Sequence, residues 1–224
     1  MSQSVHRVAA LPAPQFSTRE QQQFAGAFGM WVFIASELLF FGPLLFAYLY
    51  LRLRYPQACA AGSRHTDFLL GTVNTAVLLT SSLLMALAGQ AATDGRRRRA
   101  ALLLAATTAL GLAFLAIKGW EYHAEFGEHL FPGAGFRPEH GGLVQHATGI
   151  ELFFVLYFMT TALHALHLTA GILACLWLAF GLRHPGPPAP DPASVELVGL
   201  YWHFVDIVWI FLYPLLYLVG RAGA

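Results

Sequence analysis

The apolar stretch at 24–51 limits how this chain can fold more than any other part of the sequence. It contains a single charged side chain, Glu37, which lies near its middle. A helix needs about 20 apolar residues to cross a bilayer, so this stretch is long enough to span a membrane with some tilt. Pro43 follows within two turns and cannot donate a hydrogen bond to the carbonyl four residues earlier, which predicts a kink there.

Glu37 is an unusual residue for the middle of a membrane span. A carboxyl group at that depth persists only where it faces protein or water, or where it is protonated. Two roles fit this position. Glu37 either forms a structural hydrogen bond to a neighbouring helix or takes part in proton traffic.

The rest of the chain is also apolar, since 57% of its residues are hydrophobic and only 11% are charged. In soluble domains, about a quarter of the residues are usually charged. We therefore predict an all-α fold, an integral membrane bundle of five transmembrane helices in one domain at 24–220, preceded by a polar tail at 1–23. The predicted spans are 24–51, 68–90, 100–120, 149–180 and 195–219.

Charge and cysteine content exclude several classes of function. The net charge of +1 provides no field for nucleic acid. Cys59 and Cys175 are the two cysteines and neither belongs to a CxxC pair, which argues against a metal site built on thiolates. The tail lacks the apolar core of a secretory signal, so we expect no cleaved leader.

A run of four arginines, from Arg96 to Arg99, separates the second and third predicted spans. Short loops rich in arginine and lysine stay in the cytoplasm. With five spans, this places the N-terminus in the cytoplasm and the C-terminus in the periplasm. Cys59 and Cys175 then lie towards opposite sides of the membrane, so no disulfide joins them.

The longest predicted connection, at 118–148, mixes histidines with glutamates. Their spacing matches no known frame of metal ligands, so we expect a solvated outer loop that docks a partner, with a metal site as the lesser alternative. The residues concerned are Glu121, His123, Glu125, Glu128, His129, Glu139, His140 and His146.

The fourth and fifth spans carry the remaining polar candidates. His164 and His167 are three residues apart and share a helix face, which suits haem ligands, proton carriers or hydrogen-bonded core residues. Haem ligation would need a partner on a facing helix, and His203 is the deep candidate. In the fifth span Glu196, His203 and Asp206 fall within one narrow stripe, which predicts that they face the bundle or a partner protein.

Three segments of this sequence resemble the cytochrome c oxidase subunit III family of the haem–copper oxidases. They are GMWVFIASELLFFG at 29–42, HALHLTAG at 164–171 and E-x-x-G-x-YWHFVDIVWIFLY at 196–213. Glu121-Tyr122 after the third span agrees as well. The resemblance extends over nearly all of 24–220.

The resemblance implies a non-catalytic subunit of a respiratory oxidase in the bacterial cytoplasmic membrane. Subunits I and II would be its partners and would carry the haem and copper, while this chain would hold no metal and no catalytic residue. Family members support proton uptake, protect the catalytic subunit from inactivation during turnover, and bind phospholipid. The residues that match the family's polar positions are Glu37, His164, His167, Glu196, His203 and Asp206.

The chain also departs from the larger family form, which has seven spans. The two missing spans are the first two, and the family's lipid cleft lies between them and the rest. Short relatives also accompany quinol oxidases and nitric oxide reductases, so the electron donor and acceptor stay open. The alternatives from other classes are a stand-alone b-type cytochrome and a small transporter; the transporter is disfavoured because no inverted repeat is visible.

Overall fold

In a computed structural model, residues 14–133, 136, 147–184 and 190–221 are described. All regular secondary structure in these residues is helical. The six α-helices are α1 (Arg19–Arg54), α2 (Pro56–His65), α3 (Phe68–Thr93), α4 (Arg97–Gly127), α5 (Ala147–Arg183) and α6 (Pro192–Tyr213), and a π-helical turn at Pro214–Leu218 continues α6.

Five of these helices are long and apolar enough to cross a membrane: α1, α3, α4, α5, and α6 together with the π-helical turn. The all-α bundle of five transmembrane helices predicted from the sequence is therefore confirmed. α1 continues through Pro43 as one helix, and the kink expected there stays a prediction.

Polar side chains fix where several helices begin. The Thr18 side chain accepts a hydrogen bond from the Gln21 backbone N–H before α1. Asp67 accepts from two N–H groups before α3, and Asp191 accepts from the N–H of Ser194 before α6. Such caps satisfy N–H groups that have no partner within the helix.

α4 is longer than its predicted span, and the prediction of a solvated loop from Lys118 onwards is wrong for its first part. Lys118, Glu121 and Glu125 lie in the last turns of α4 and are buried. Opposite charges that neutralise and hydrogen-bond one another can remain inside a bundle, so the helix does not end where charged residues begin. The candidate loop residues Glu139, His140 and His146 lie outside the described residues.

The helices differ in how much of their surface is enclosed. α3, α4, α5 and α6 pack against one another, and α1 lies against α5 and α6. More than half (56%) of the most apolar segment of the last span is buried, against 11% for α1. α1 therefore presents most of its apolar surface outwards, to lipid or to a partner.

Candidate functional site

Glu37 forms its hydrogen bond to α5, and the residue it meets is His167. The Nε2 atom of His167 lies 2.9 Å from Oε2 of Glu37. The Nδ1 atom of the same ring lies 2.8 Å from the carbonyl oxygen of Leu163, one turn earlier in α5. The contact with Glu37 joins α1 to α5 in the middle of the first span, and the contact with Leu163 orients the imidazole within α5.

The contacts of His167 determine how many protons this pair holds. A carbonyl oxygen can only accept, so Nδ1 carries a hydrogen. The contact between Nε2 and Glu37 then needs one further proton, which resides either on the carboxyl group or on the imidazole. The pair therefore holds one proton that its two members can exchange, and both arrangements have the same total charge.

The Glu37–His167 pair is only partly enclosed. The side chains are 18% and 11% exposed, respectively. The Phe41 ring lies 5.2 Å from the imidazole between ring centroids, and the Tyr201 hydroxyl donates to the His167 carbonyl oxygen at 2.8 Å. The pair is thus held by α1, α5 and α6 but keeps access to the outside of the bundle.

His164 occupies a different environment, although it lies on the same helix as His167. It is 1% exposed and packs between the rings of Phe114 and Trp209, at 5.5 and 5.0 Å between centroids. Neither ring nitrogen has a hydrogen-bond partner among the described residues. The two histidines therefore meet different helices, since His167 contacts α1 while His164 packs against α4 and α6.

The predicted stripe of α6 faces α3. His203 Nδ1 lies 2.8 Å from the Ser82 hydroxyl, and the Thr93 hydroxyl donates to Glu196 at 3.5 Å. Asp206 is 3% exposed, and neither of its carboxyl oxygens is hydrogen-bonded within the described part of the chain. The structure brings these three residues to one interface but does not bring them to Glu37.

A cavity of about 600 Å³ lies between α3 and α6 at the end of the stripe. Glu196 and His203 line it, together with Asp94 at the end of α3. Gly89 and Gly199 also line it, and their lack of side chains widens the space between the two helices. The cavity connects the polar groups of α6 with the end of the bundle that carries Arg96.

A second polar cluster, centred on Lys118, was not predicted from the sequence. Its Nζ atom donates to Oε2 of Glu121 at 3.0 Å, to the Tyr157 hydroxyl at 2.7 Å and to the Tyr217 hydroxyl at 2.5 Å. Both tyrosines in turn donate to Glu121, at 2.9 and 2.8 Å. The three hydrogens of the ammonium group are therefore all used.

Local backbone geometry brings Tyr217 into this cluster. The π-helical turn that contains it follows α6, and such turns are often found at functional sites. Gly71 of α3 makes room for the ring, since a Cβ there would lie 2.8 Å from Cδ1 of Tyr217. The Lys-x-x-Glu spacing of residues 118 and 121 was the signal in the sequence that could have revealed the ion pair.

The arrangement of the described residues includes no group of three or more histidine, cysteine, aspartate or glutamate side chains that could hold a metal ion. The chemistry available at the two clusters is hydrogen bonding and proton exchange. Of these two clusters, the Glu37–His167 pair is the one that combines an exchangeable proton with partial exposure.

Comparison with known proteins agrees with the resemblance seen in the sequence. Residues 146–221 match the family model for cytochrome c oxidase subunit III. The chain is 32% identical over 194 residues to cytochrome c oxidase subunit 3 of Thermostichus vulcanus, which covers 86% of this chain and 87% of that protein.

Two further relatives belong to differently named oxidases. The chain is 32% identical over 196 residues to heme-copper oxidase subunit I+III of Aeropyrum pernix, covering 85% of this chain and 22% of that protein. It is 28% identical over 193 residues to cytochrome bo(3) ubiquinol oxidase subunit 3 of Pseudomonas aeruginosa, covering 86% and 84% of the two chains.

Proposed function

The chain belongs to the cytochrome c oxidase subunit III family of haem–copper oxidase subunits, and from this membership we propose that it serves an oxidase that takes electrons from cytochrome c. In this proposal it stabilises the catalytic subunit and supports proton uptake during aerobic respiration. It has no redox centre of its own, and haem and copper belong to the partner subunits.

The Glu37–His167 hydrogen bond is the observation that supports a role in proton uptake. When the pair takes up a second proton as it releases the first, its total charge is unchanged at the end of the transfer, which avoids the cost of leaving a charge in the bilayer. Its partial exposure gives that proton a route to a neighbouring protein surface. We propose that the other polar candidates support this role indirectly, by fixing how α5 and α6 pack. They are His164, Glu196, His203 and Asp206.

A partner subunit is supported by one of the relatives. The Aeropyrum pernix protein is named as a fusion of subunits I and III, so the two subunits are joined in one chain there. We propose that this chain packs against a separate subunit I and excludes lipid and water from its flank, with subunit II as a further partner. Phospholipid is the expected neighbour of the remaining surface.

A quinol oxidase is the second candidate. It is favoured by the similarity to the ubiquinol oxidase subunit of Pseudomonas aeruginosa over 86% of this chain. The test is to purify the complex from its native membrane in mild detergent and to measure oxygen uptake with reduced cytochrome c and with quinol. Uptake with cytochrome c alone supports our proposal, and uptake with quinol alone overturns the choice of donor.

The same preparation tests the alternative of a stand-alone cytochrome. We expect the separated chain to be colourless. A Soret band in the separated chain that is lost in His203→Ala would overturn the assignment of all redox centres to the partner subunits.

We also propose that the chain lies in the bacterial cytoplasmic membrane with its N-terminus in the cytoplasm and its C-terminus in the periplasm. The two ends of α4 provide a matched test, because Arg96→Cys and Glu128→Cys place single thiols on opposite sides. In intact cells a membrane-impermeant maleimide should label Glu128→Cys and leave Arg96→Cys unlabelled until the membrane is opened. Labelling of Arg96→Cys alone would reverse the orientation.

The native cysteines provide a low background for this labelling. Cys59 and Cys175 are both buried. Burial raises the pKa of the Cys59 thiol to about 11, so it stays protonated near neutral pH and reacts slowly.

A further inference from the structure

A cavity of about 520 Å³ lies where the end of α2, the start of α3 and the last turns of α4 meet. Its volume is within the range of small-molecule sites. It lies at the opposite end of α4 from the four arginines, close to the Lys118 cluster. None of the residues proposed for proton uptake lines it.

The carboxyl group of Glu125 is the feature of this cavity that needs an explanation. Glu125 lines the cavity and is 4% exposed. Its carboxyl group lies beside the Tyr157 hydroxyl, yet neither of its oxygens forms a well-aligned hydrogen bond within the described residues. A buried polar group without a partner costs about 1–3 kcal/mol, and more if it is charged. A ligand in the cavity would supply the missing partner.

The nearby donors are already committed. The three hydrogens of Lys118 go to Glu121 and to the two tyrosine hydroxyls, and each of these tyrosines donates its single hydrogen to Glu121. The Tyr157 hydroxyl beside Glu125 gives its hydrogen to Glu121, so a Glu125 carboxylate is left without a donor.

The charged residues around the cavity indicate the sign of the ligand's charge. The Arg221 guanidinium donates to four backbone carbonyl oxygens, those of Ser63, Arg64, Thr66 and Tyr217. Asp67 caps α3, and Glu121 is paired with Lys118. Four acidic residues line the cavity against two arginines, Arg64 and Arg221, and this excess of acidic groups favours a cation.

The rim of the cavity has the composition of a membrane interface. Trp120, Leu69 and Phe68 line it and are 72%, 68% and 41% exposed. Aromatic and apolar residues next to polar groups are typical of the level at which lipid head groups lie. Arg64, which is exposed at the same cavity, is available for an anionic group on the ligand.

We propose that this cavity binds a primary ammonium group, with Glu125 accepting its hydrogen bonds. The group is carried either by the ethanolamine head of a phospholipid or by a soluble amine. A primary ammonium has three hydrogens to donate, whereas a fully methylated choline ammonium has none. The site therefore distinguishes ethanolamine from choline.

The first experiment tests the lipid source. The full-length chain, purified with the subunits that accompany it, is placed in nanodiscs of phosphatidylglycerol mixed with phosphatidylethanolamine or with phosphatidylcholine. Retained lipid is then counted by native mass spectrometry. We expect phosphatidylethanolamine to be retained roughly ten-fold better, since a hydrogen bond to a charged group is worth at least about one factor of ten in binding.

Two variants at the C-terminal end of α4 and its cap locate the site. Glu125→Gln should abolish the preference for ethanolamine over choline. Glu128→Gln removes a negative charge from the same cavity, but from an exposed side chain, and should keep the preference. The preference of the wild-type protein is measured without any variant, so the proposal stays testable if Glu125→Gln does not fold.

A second arm tests the soluble source. In nanodiscs of phosphatidylglycerol alone, added ethanolamine should raise the unfolding temperature of the wild type more than tetramethylammonium or sodium does, and should have no such effect in Glu125→Gln. A response in either arm that depends on Glu125 supports the proposal and identifies the source. Equal behaviour of ethanolamine and choline, an effect of sodium alone, or a preference that persists in Glu125→Gln would overturn it.

Discussion

The Lys118–Glu121 pair and the Glu37–His167 pair both place an acid and a base inside membrane spans, but they use their hydrogen bonds differently. Lys118 is 3% exposed and has all three hydrogens committed, and Glu121 accepts from two tyrosines as well. The Glu37–His167 pair is partly exposed and shares one proton. The first arrangement is suited to holding helices together, and the second to exchanging a proton.

This difference shows that a buried titratable group is not evidence of function by its burial alone. The more deeply buried pair is the one whose protons have no freedom to move. Glu37 and His167 have few other partners, so a change of protonation there disturbs little else. The largest expected effect on stability therefore belongs to the pair that we do not assign to proton uptake.

Lys118→Met should give that largest effect. It leaves Glu121 as a buried carboxylate without its counter-charge, and breaking a buried pair in this way costs about 3–5 kcal/mol. Unfolding in mixed detergent, followed by circular dichroism, measures the loss. Arg98→Met, an exposed arginine on the same helix, is the matched control and should change stability by less than about 0.5 kcal/mol.

Equal stabilities of Lys118→Met and Arg98→Met would show that the Lys118 cluster does not hold the bundle together. The Lys118–Glu121 pair could then no longer be contrasted, as a structural pair, with the proton-exchanging Glu37–His167 pair.

Gly71→Ala should have the next largest effect, because the added Cβ would lie 2.8 Å from the ring of Tyr217. Overpacking of this kind costs about 1–3 kcal/mol. Gly89→Ala on the same helix is the control, since nothing lies within 4 Å of its Cβ position, and it should be neutral or slightly stabilising. The same unfolding measurement compares them, and an equal response would mean that Tyr217 is not held tightly in its place.

Glu37→Gln should have the smallest effect on stability, below about 1 kcal/mol. The glutamine amide can still donate to Nε2 of His167, so the contact between α1 and α5 is kept while the exchangeable proton is lost. His167→Ala removes the contact itself and should destabilise the bundle more. If Glu37→Gln were as damaging as His167→Ala, the pair would be a structural contact of the same kind as the Lys118 cluster.

The fold was more predictable from the sequence than the site. Long apolar stretches fix the number of spans, since a helix is the conformation that satisfies its backbone hydrogen bonds within the bilayer. The predicted third span nevertheless ended at 120, because hydropathy counts Glu121 and Glu125 as polar whether or not they are buried. The structure continues α4 to Gly127 through those residues.

The partner of Glu37 could not be predicted, because it depends on how α1 and α5 are rotated against each other. His164 and His167 are equally plausible from spacing, and a separation of 130 positions between Glu37 and His167 leaves no local signal. The environment of His164, enclosed by Phe114 and Trp209, also depends on packing between three helices. Sequence identified the polar candidates but not which of them meet.

The central claim is that the proton shared by Glu37 and His167 supports catalysis in a neighbouring subunit. The most direct measurement is the number of oxygen turnovers that the purified complex completes before it inactivates, compared between the wild type and Glu37→Gln at equal content of all subunits. We predict fewer turnovers in Glu37→Gln despite normal assembly. The same turnover number and the same steady-state rate in both complexes would contradict the claim and leave Glu37 as a packing residue.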